Sequence, residues 1–221
     1  MDLGFTQHFT PPELVRELVD FGVGVHSGRS LRILDPSCGD GRLLAAAKAR
    51  LPGLFSTFIG VELDTVHAAA ARAAVPGAHI IEGDFFDVNL EDLPGGEAVD
   101  CVLMNPPFAG VPTANRIWGR DYVRNLYSRY PEAKDRVDIA AIFLRHACNL
   151  TARGGTVSCI ATKTISEGAT RRAGLQPLLA QRWEIYRVIR RAPWPGRAAV
   201  NISVVHMHNG PLPDDWSREL L

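Results

Sequence analysis

Short apolar runs alternate with amphipathic stretches along the 221 residues of the chain. The runs have the length and residue types of buried strands, and the stretches between them repeat their apolar residues at helical spacing. Alternation of this kind predicts an α/β domain. The predicted strands cover residues 31–34, 57–61, 79–81, 99–104, 156–161, 183–189 and 200–207, and the predicted helices cover 11–21, 42–51, 65–75, 138–150 and 167–181.

The first predicted helix has a strong start signal. Thr10 is suited to cap its N-terminus, Pro11 to begin its first turn, and Glu13 to complete a capping box. The lead-in, residues 7–10, could then cover a ligand at the start of the domain.

The central strand, 99–104, is followed by an Asn-Pro-Pro-Phe sequence. Since proline has no backbone N–H, the strand stops at Asn105, which then points into the crevice at the carboxyl edge of the sheet. The side-chain carbonyl of Asn105 and the backbone carbonyl of Pro106 form a pair of acceptors suited to a planar –NH2 group. The ring of Phe108 can lie against that group. A simple strand-terminating turn is the alternative interpretation.

A glycine turn follows the first strand, in the sequence DPSCGDG over residues 35–41. Gly39 and Gly41 permit a tight turn whose backbone N–H groups approach a ligand closely. The third glycine of the dinucleotide motif is missing, and Asp40 would repel a pyrophosphate. The turn therefore favours a cationic or zwitterionic ligand.

Two further strands lead into carboxylates. Glu62 ends the second strand, where βαβ units usually grip a ribose diol. Asp64 is better suited to cap the following helix. Asp84 follows the third strand and could accept a hydrogen bond from an adenine amine, while Phe85 packs on the ring. This order of residues is compatible with a nucleoside ligand.

The net charge is zero, but the two halves of the chain differ. Residues 1–110 hold 7 Lys and Arg against 15 Asp and Glu, whereas residues 111–221 hold 17 against 9. The asymmetry suggests that the second half faces a polyanion; arginines that only solvate helix faces are the alternative. An Arg- and Tyr-rich stretch, 112–136, is predicted to be an excursion near the substrate site. Trp194 lies between two prolines on a basic loop, where it either stacks on a ligand or caps the core of the last strands.

The four cysteines are far apart, and three of them lie in apolar runs. This spacing favours buried thiols over a disulfide framework or a metal site. No apolar run approaches the roughly 18 residues of a membrane span, and the N-terminus lacks the features of a signal peptide. We therefore expect a cytoplasmic protein that uses no metal.

Taken together, these motifs resemble S-adenosylmethionine-dependent N6-adenine DNA methyltransferases of the TaqI-like gamma class. The segments that carry the resemblance are FTPPELVRELV, LDPSCGDGRLL, FIGVELD, GDFFD and LMNPPF, in this order. Residues 162–210 are similar to the corresponding region of MmeI-like restriction–modification enzymes. The resemblance implies a single class I, Rossmann-like methyltransferase domain over residues 1–221. Its mostly parallel sheet would have seven strands with helices on both faces, and residues 1–30 would cover the cofactor.

The resemblance also implies roles for individual residues. The predicted cofactor-binding residues are Thr10, Pro11, Asp35, Pro36, Cys38, Gly39, Gly41, Glu62, Leu63, Asp84 and Phe85. The predicted catalytic residues are Asn105, Pro106, Pro107 and Phe108, and the target base would stack between Phe108 and Trp194. An aromatic residue of the family's N-terminal motif falls on His8 or Phe9.

The implied activity is methyl transfer to the N6 amine of an adenine flipped out of DNA, in restriction–modification or phage defence. Gamma-class enzymes continue into a target-recognition domain that this sequence does not contain. A longer protein, a specificity partner or a different substrate would each account for that difference. The alternatives are an RNA adenine or protein-glutamine methyltransferase and, from another class, a non-catalytic S-adenosylmethionine-binding module.

Overall fold

The computed structural model describes residues 9–26, 28–133, 137–195 and 200–221. Within these ranges eight strands form one sheet in the order β3-β2-β1-β4-β5-β7-β6-β8. The strands are β1 (Arg32–Asp35), β2 (Thr57–Glu62), β3 (His79–Glu82), β4 (Val99–Met104), β5 (Thr151–Thr162), β6 (Trp183–Pro193), β7 (Asn201–Asn209) and β8 (Glu219–Leu220). β7 is antiparallel to β5 and β6, and the other pairs are parallel.

Helices cover both faces of the sheet. They are α1 (Pro12–Gly22), α2 (Arg42–Arg50), α3 (Thr65–Ala74), α4 (Val111–Trp118), α5 (Arg120–Ser128), α6 (Ile139–Asn149), α7 (Gly168–Ala173) and α8 (Leu175–Ala180). One apolar cluster joins the sheet to α1–α3, and the other joins it to α4–α8. The predicted α/β fold is confirmed; the sheet has eight strands where seven were predicted, because the two-residue β8 adds to its edge.

The prediction that Thr10 caps the first helix is wrong. Helix α1 begins at Pro12, its N-cap is Pro11, and no side chain caps it. The carbonyl of Pro11 instead accepts the first helical hydrogen bond, from the amide of Val15. Thr10 is therefore left outside the helix, with its hydroxyl group available to another partner.

Three further elements differ clearly from their predicted bounds; one is β6, which was predicted to end at residue 189 and continues to Pro193. The predicted helix 167–181 is divided into α7 and α8 at Gly174, where a Cβ would lie 2.9 Å from the Cβ of Ala141. β5 begins at Thr151 rather than at residue 156, with a register shift against β4 between Val99 and Cys101. Glycines in this part of β5 accommodate the irregularity, since Gly154 has φ of 77°.

The stretch 112–136 is packed against the domain. It forms most of α4 and all of α5, and α5 buries Val123, Leu126 and Tyr127 in the cluster on its side of the sheet. Residues 134–136 lie outside the described residues. The stretch is thus part of the core as well as a neighbour of the carboxyl edge.

The four cysteine thiols are free and buried, as was predicted for most of them. Burial raises the pKa of Cys101 to about 12, so this thiol stays protonated. None of the helices in the described ranges is long and apolar enough to cross a membrane.

Candidate active site

A cleft opens where β1 and β4 end, with about 350 Å³ of empty space when the part open to solvent is included. It brings together three segments that are far apart in sequence: the lead-in to α1, the glycine turn and the residue after β4. The lining residues are Phe9, Thr10, Asp35, Ser37, Cys38, Gly39, Asp40, Arg42, Leu43 and Asn105. The carboxyl edge of the sheet therefore holds the candidate site that the strand ends predicted.

The glycine turn is fixed on its neighbours by backbone contacts. Gly39 and Gly41 have φ of 53° and 81°, a region that favours glycine. A Cβ on Gly41 would lie 3.0 Å from the Cα of Ala71, on α3. The amide of Cys38 donates to the carbonyl of Val61, on β2, at 3.0 Å. The turn is thus held against the next strand and its helix.

Glu62 connects the glycine turn to the start of α3. Its Oε2 accepts from the amide of Gly39 at 2.8 Å, and its Oε1 accepts from the amide of Asp64 at 2.9 Å. Asp64 caps α3 by accepting from two amides of the first turn, which confirms its predicted role. A carboxylate has about four lone-pair sites, so each oxygen of Glu62 can still accept a hydroxyl group. Leu63, between these acids, is half exposed.

Asp35 is the buried carboxyl of the cleft. It is 1% exposed, and its Oδ1 accepts from the amide of Ser37 at 3.2 Å. Burial raises the pKa of Asp35 to about 8, and the charges of Glu62 and Asp40 act in the same direction. Across the described part of the chain, no cationic side chain lies within ion-pair distance of it. The cleft is therefore ready for a ligand that carries positive charge.

Arg42 is a site residue that the sequence analysis missed. Its guanidinium pairs with Asp40 at 2.7 Å, which lowers the pKa of that carboxyl. The same group donates to the carbonyl of Thr10 at 3.1 Å and lies 4.4 Å from the centre of the Phe9 ring. Its position directly after Gly41 was the only signal in the sequence.

The aromatic residue of the N-terminal motif was predicted to be His8 or Phe9. His8 lies outside the described residues, while Phe9 lines the cleft.

Asn105 is held by the two other segments of the cleft. Its side-chain Nδ2 donates to the hydroxyl of Thr10 at 3.1 Å, and its backbone carbonyl accepts from the hydroxyl of Ser37 at 3.3 Å. The hydroxyl of Thr10, which was predicted to cap α1, thus contacts Asn105 at the end of the central strand instead. Pro106, which follows, is buried.

Comparison with known proteins identifies the family. The model of the N-6 DNA methylases matches residues 4–192. The chain belongs to this family. It is 31% identical over 158 residues to the type II methyltransferase M.TthHB8I of Thermus thermophilus, covering 70% of this chain and 34% of that protein. The chain thus spans about a third of the length of this curated relative.

Two solved structures share the fold of this N-6 DNA methylase chain. A candidate class I S-adenosylmethionine-dependent methyltransferase of Listeria monocytogenes matches with a TM-score of 0.73 and 15% identity, over 98% of this chain and 67% of that one. The methyltransferase subunit of a type I restriction–modification system of Streptococcus thermophilus matches with a TM-score of 0.71 and 18% identity, over 93% and 45%. The predicted class I methyltransferase fold and family are therefore confirmed.

The family uses S-adenosylmethionine, and the cleft fits this cofactor. The buried carboxyl of Asp35 complements its positive charge, and the turn at Gly39 and Gly41 allows close approach of a ligand to the backbone. Glu62, which accepts a hydrogen bond from the amide of Gly39, is the carboxylate predicted to bind the ribose. The binding roles of the individual residues stay predictions.

Asp84 and Phe85 follow β3, and neither is among the described residues that line the cleft. Oδ1 of Asp84 accepts from the amide of Phe86 at 2.9 Å, and Oδ2 accepts from the hydroxyl of Tyr122, on α5, at 2.5 Å. The ring of Phe85 is buried and stacks on Phe143, with centroids 5.3 Å apart. The ring thus lies in the core here. Its predicted contact with the cofactor's adenine stays a prediction.

Phe108 and Trp194 contact each other edge to face, with ring centroids 6.2 Å apart and an interplanar angle of 83°. Trp194 is 8% exposed, and its amide donates to the carbonyl of Val200 at 2.8 Å. The two rings are therefore neighbours, as predicted, but they touch directly. Their stacking on a target base stays a prediction, and a base between them would require the rings to separate.

Proposed function

We propose that the chain transfers the methyl group of S-adenosylmethionine to the exocyclic N6 amine of an adenine flipped out of DNA. The observation that supports this most is that Asn105 lines the same cleft as Asp35 and the glycine turn. A group held by Asn105 and a cofactor held by the turn would meet across one open space. Family membership supports DNA as the substrate.

The cofactor supplies an electrophilic methyl group, and the protein must make the amine nucleophilic. The lone pair of the adenine amine is delocalised into the ring. Carbonyl acceptors of Asn105 and Pro106 would draw its two hydrogens toward tetrahedral geometry and return electron density to the nitrogen. The same dipoles, with the face of Phe108, would stabilise the positive charge that develops on the nitrogen as its bond to the methyl group forms and the methyl–sulfur bond breaks; the nitrogen would then lose one proton to water. The hydroxyl of Thr10 orients the Asn105 amide for this task.

Target selection requires more than this cleft. The matched relative is about three times as long as the matching part of this chain, since the chain covers 34% of it. We infer that a recognition domain or a specificity partner reads the target sequence. Basic residues of the second half would add a salt-sensitive contribution that does not depend on sequence. Restriction–modification is the process that this arrangement fits.

Replacement of Asn105 tests the chemical step. Asn105→Ala should keep cofactor binding and lower the rate of methylation by roughly a hundredfold, as expected when one preorganised dipole is lost. Tritiated methyl transfer into DNA, RNA and protein, measured in parallel, gives the rate and identifies the substrate class. Asn89→Ala, at an exposed asparagine outside the cleft, is the matched control.

Three results would contradict the proposal. Normal turnover of Asn105→Ala would exclude the mechanism. Loss of cofactor binding in this variant would assign Asn105 to the cofactor instead of the base. Label found in RNA or in protein glutamine, with none in DNA, would replace the substrate.

A further inference from the structure

Helix α5 contacts the turn after β3 through a polar side chain near its start. The hydroxyl of Tyr122 donates to Oδ2 of Asp84 at 2.5 Å, while the amide of Phe86 donates to Oδ1 at 2.9 Å. Both oxygens of the Asp84 carboxylate are therefore held, one by the turn itself and one by α5. Tyr122 is partly buried against the apolar cluster around Phe85 and Phe86.

The residue after α5 provides a second anchor to the same turn. Nη1 of Arg129 donates to the carbonyl of Phe86 at 2.9 Å, and Nη2 lies 3.6 Å from Oδ1 of Asp87. Between the anchors, Val123 and Leu126 are buried in the same apolar cluster as Phe86. Two polar contacts and a packed face thus fix α5 on residues 84–87.

The chemistry of the pair suits recognition of an amine. Two of the four lone-pair sites of the Asp84 carboxylate are occupied, so each oxygen keeps one site for another donor. Burial, with the negative charge of Asp84, raises the pKa of Tyr122. The phenol therefore keeps its proton throughout the physiological range of pH and remains a hydrogen-bond donor to Asp84.

We propose that Tyr122 is a positioning residue for recognition of the cofactor's adenine. It fixes the carboxylate of Asp84 so that the remaining acceptor sites meet the exocyclic amine. The inference rests on the proposed function and on the prediction from the sequence that Asp84 accepts that amine. It gives the 112–136 stretch a role at the cofactor in addition to its predicted place near the substrate.

A pair of ligands that differ at the adenine amine tests the proposal. S-adenosylhomocysteine carries the amine, whereas S-inosylhomocysteine carries a carbonyl oxygen in its place. Calorimetry should show that Tyr122→Phe weakens binding of the adenosyl ligand by about fivefold, the scale of one ordinary hydrogen bond, because Asp84 remains but is no longer fixed. Binding of the inosyl ligand should be nearly unchanged. A purely structural role would weaken both ligands equally and would overturn the proposal.

Tyr127→Phe is the matched control. Tyr127 lies on the same helix, and its hydroxyl donates to the carbonyl of Val137 at 2.9 Å, away from Asp84. This variant should not alter the ratio of the two affinities. If it lowers the ratio as Tyr122→Phe does, the effect comes from loosening of α5 and the proposal fails.

Asp84→Ala separates this inference from the proposed function. If Asp84→Ala leaves the ratio of affinities unchanged, Asp84 does not bind the amine and its predicted role at the cofactor is wrong, while the proposed methyl transfer to adenine in DNA is not affected. If Asp84→Ala lowers the ratio and Tyr122→Phe does not, only the role of Tyr122 is wrong. Tighter binding of the adenosyl ligand by Tyr122→Phe would mean that the phenol competes with the amine, which also overturns the proposal.

Discussion

Two carboxyl groups of this molecule, the partly buried Glu17 and the buried Asp35, differ in what surrounds them. Glu17, on α1, binds the guanidinium of Arg187 at 2.6 Å and lies 3.3 Å from Nε2 of His206. Burial alone would raise its pKa, but the hydrogen bonds from His206 and Arg187 lower it to about 2. Asp35, in the cleft, has no such partner in the described residues, and burial raises its pKa to about 8.

The difference separates a structural acid from a binding acid. Glu17 has its charge balanced within the protein, and it joins α1 to β6 and β7. Asp35 has no cation beside it among the described residues and keeps its proton up to about pH 8, and a positively charged ligand would favour its ionised form. Removal of Glu17 should therefore lower stability and leave cofactor binding unchanged, whereas removal of the Asp35 carboxyl should weaken cofactor binding.

The largest expected effect is on stability. Glu17→Ala removes a two-point partner of the buried Arg187 and the acid beside His206, and leaves Arg187 paired with Glu219, so the free energy of unfolding should fall by about 3 kcal/mol. Urea denaturation measures the change, and Glu13→Ala, at an exposed acid of the same helix, is the control. Cofactor affinity of the folded variant should be unchanged. A loss no larger than that of the control would mean that the Glu17–Arg187 pair is not structural.

The next effect is on binding. Glu62→Ala removes the acceptor proposed for the ribose and the two hydrogen bonds that hold the amides of Gly39 and Asp64. Cofactor affinity should fall by about 2–4 kcal/mol in titration calorimetry. Glu82→Ala, at the exposed end of β3, should bind normally. Unchanged affinity of Glu62→Ala would show that the ribose assignment is wrong.

The third effect, the dependence of stability on pH, is the smallest when it is counted for one pH unit. Above the ordinary pKa of an aspartate the unfolded chain releases its proton, while folded Asp35 keeps it up to about pH 8. The folded state then binds more protons, so stability falls as pH rises from about 4 to 8. Asp35→Asn lacks this titration. Its stability relative to the original chain should increase by about 1 kcal/mol per pH unit across this window.

Thermal denaturation of both proteins at several pH values measures that difference. The comparison cancels other groups, such as His26, whose pKa burial lowers to about 4 and which acts with the opposite sign below pH 6.5. Asp35→Asn should also bind S-adenosylmethionine more weakly. A difference in stability that stays constant from pH 4 to 8 would mean that Asp35 is ionised without a ligand.

The position of the site could be predicted from the sequence because it depends on where strands stop. Prolines after Asn105 and the acid at Glu62 mark strand ends, and parallel strands bring their carboxyl ends to one edge. The side-chain partners could not be predicted. Thr10 has the pattern of a helix cap, yet it bonds to Asn105, 95 residues away.

Long-range pairs explain the other differences. Arg187 lies in the sequence of a predicted strand, and nothing near it indicates that Glu17 is 170 residues away and in contact. The same holds for Tyr122 and Asp84, which belong to separate predicted elements. Local patterns report helix and strand faces, whereas such pairs depend on how the whole chain is packed.

The place of β7 governs when the sheet can be completed during synthesis. β7 lies between β5 and β6, although it follows both in sequence. Until residues 201–209 leave the ribosome, one edge of β5 is unpaired, and β6 lacks the strand that joins it to the rest of the sheet. At roughly 5–20 residues per second, this interval lasts on the order of seconds after β5 appears. During that time the exposed strand edges are the nascent chain's main risk of misassociation.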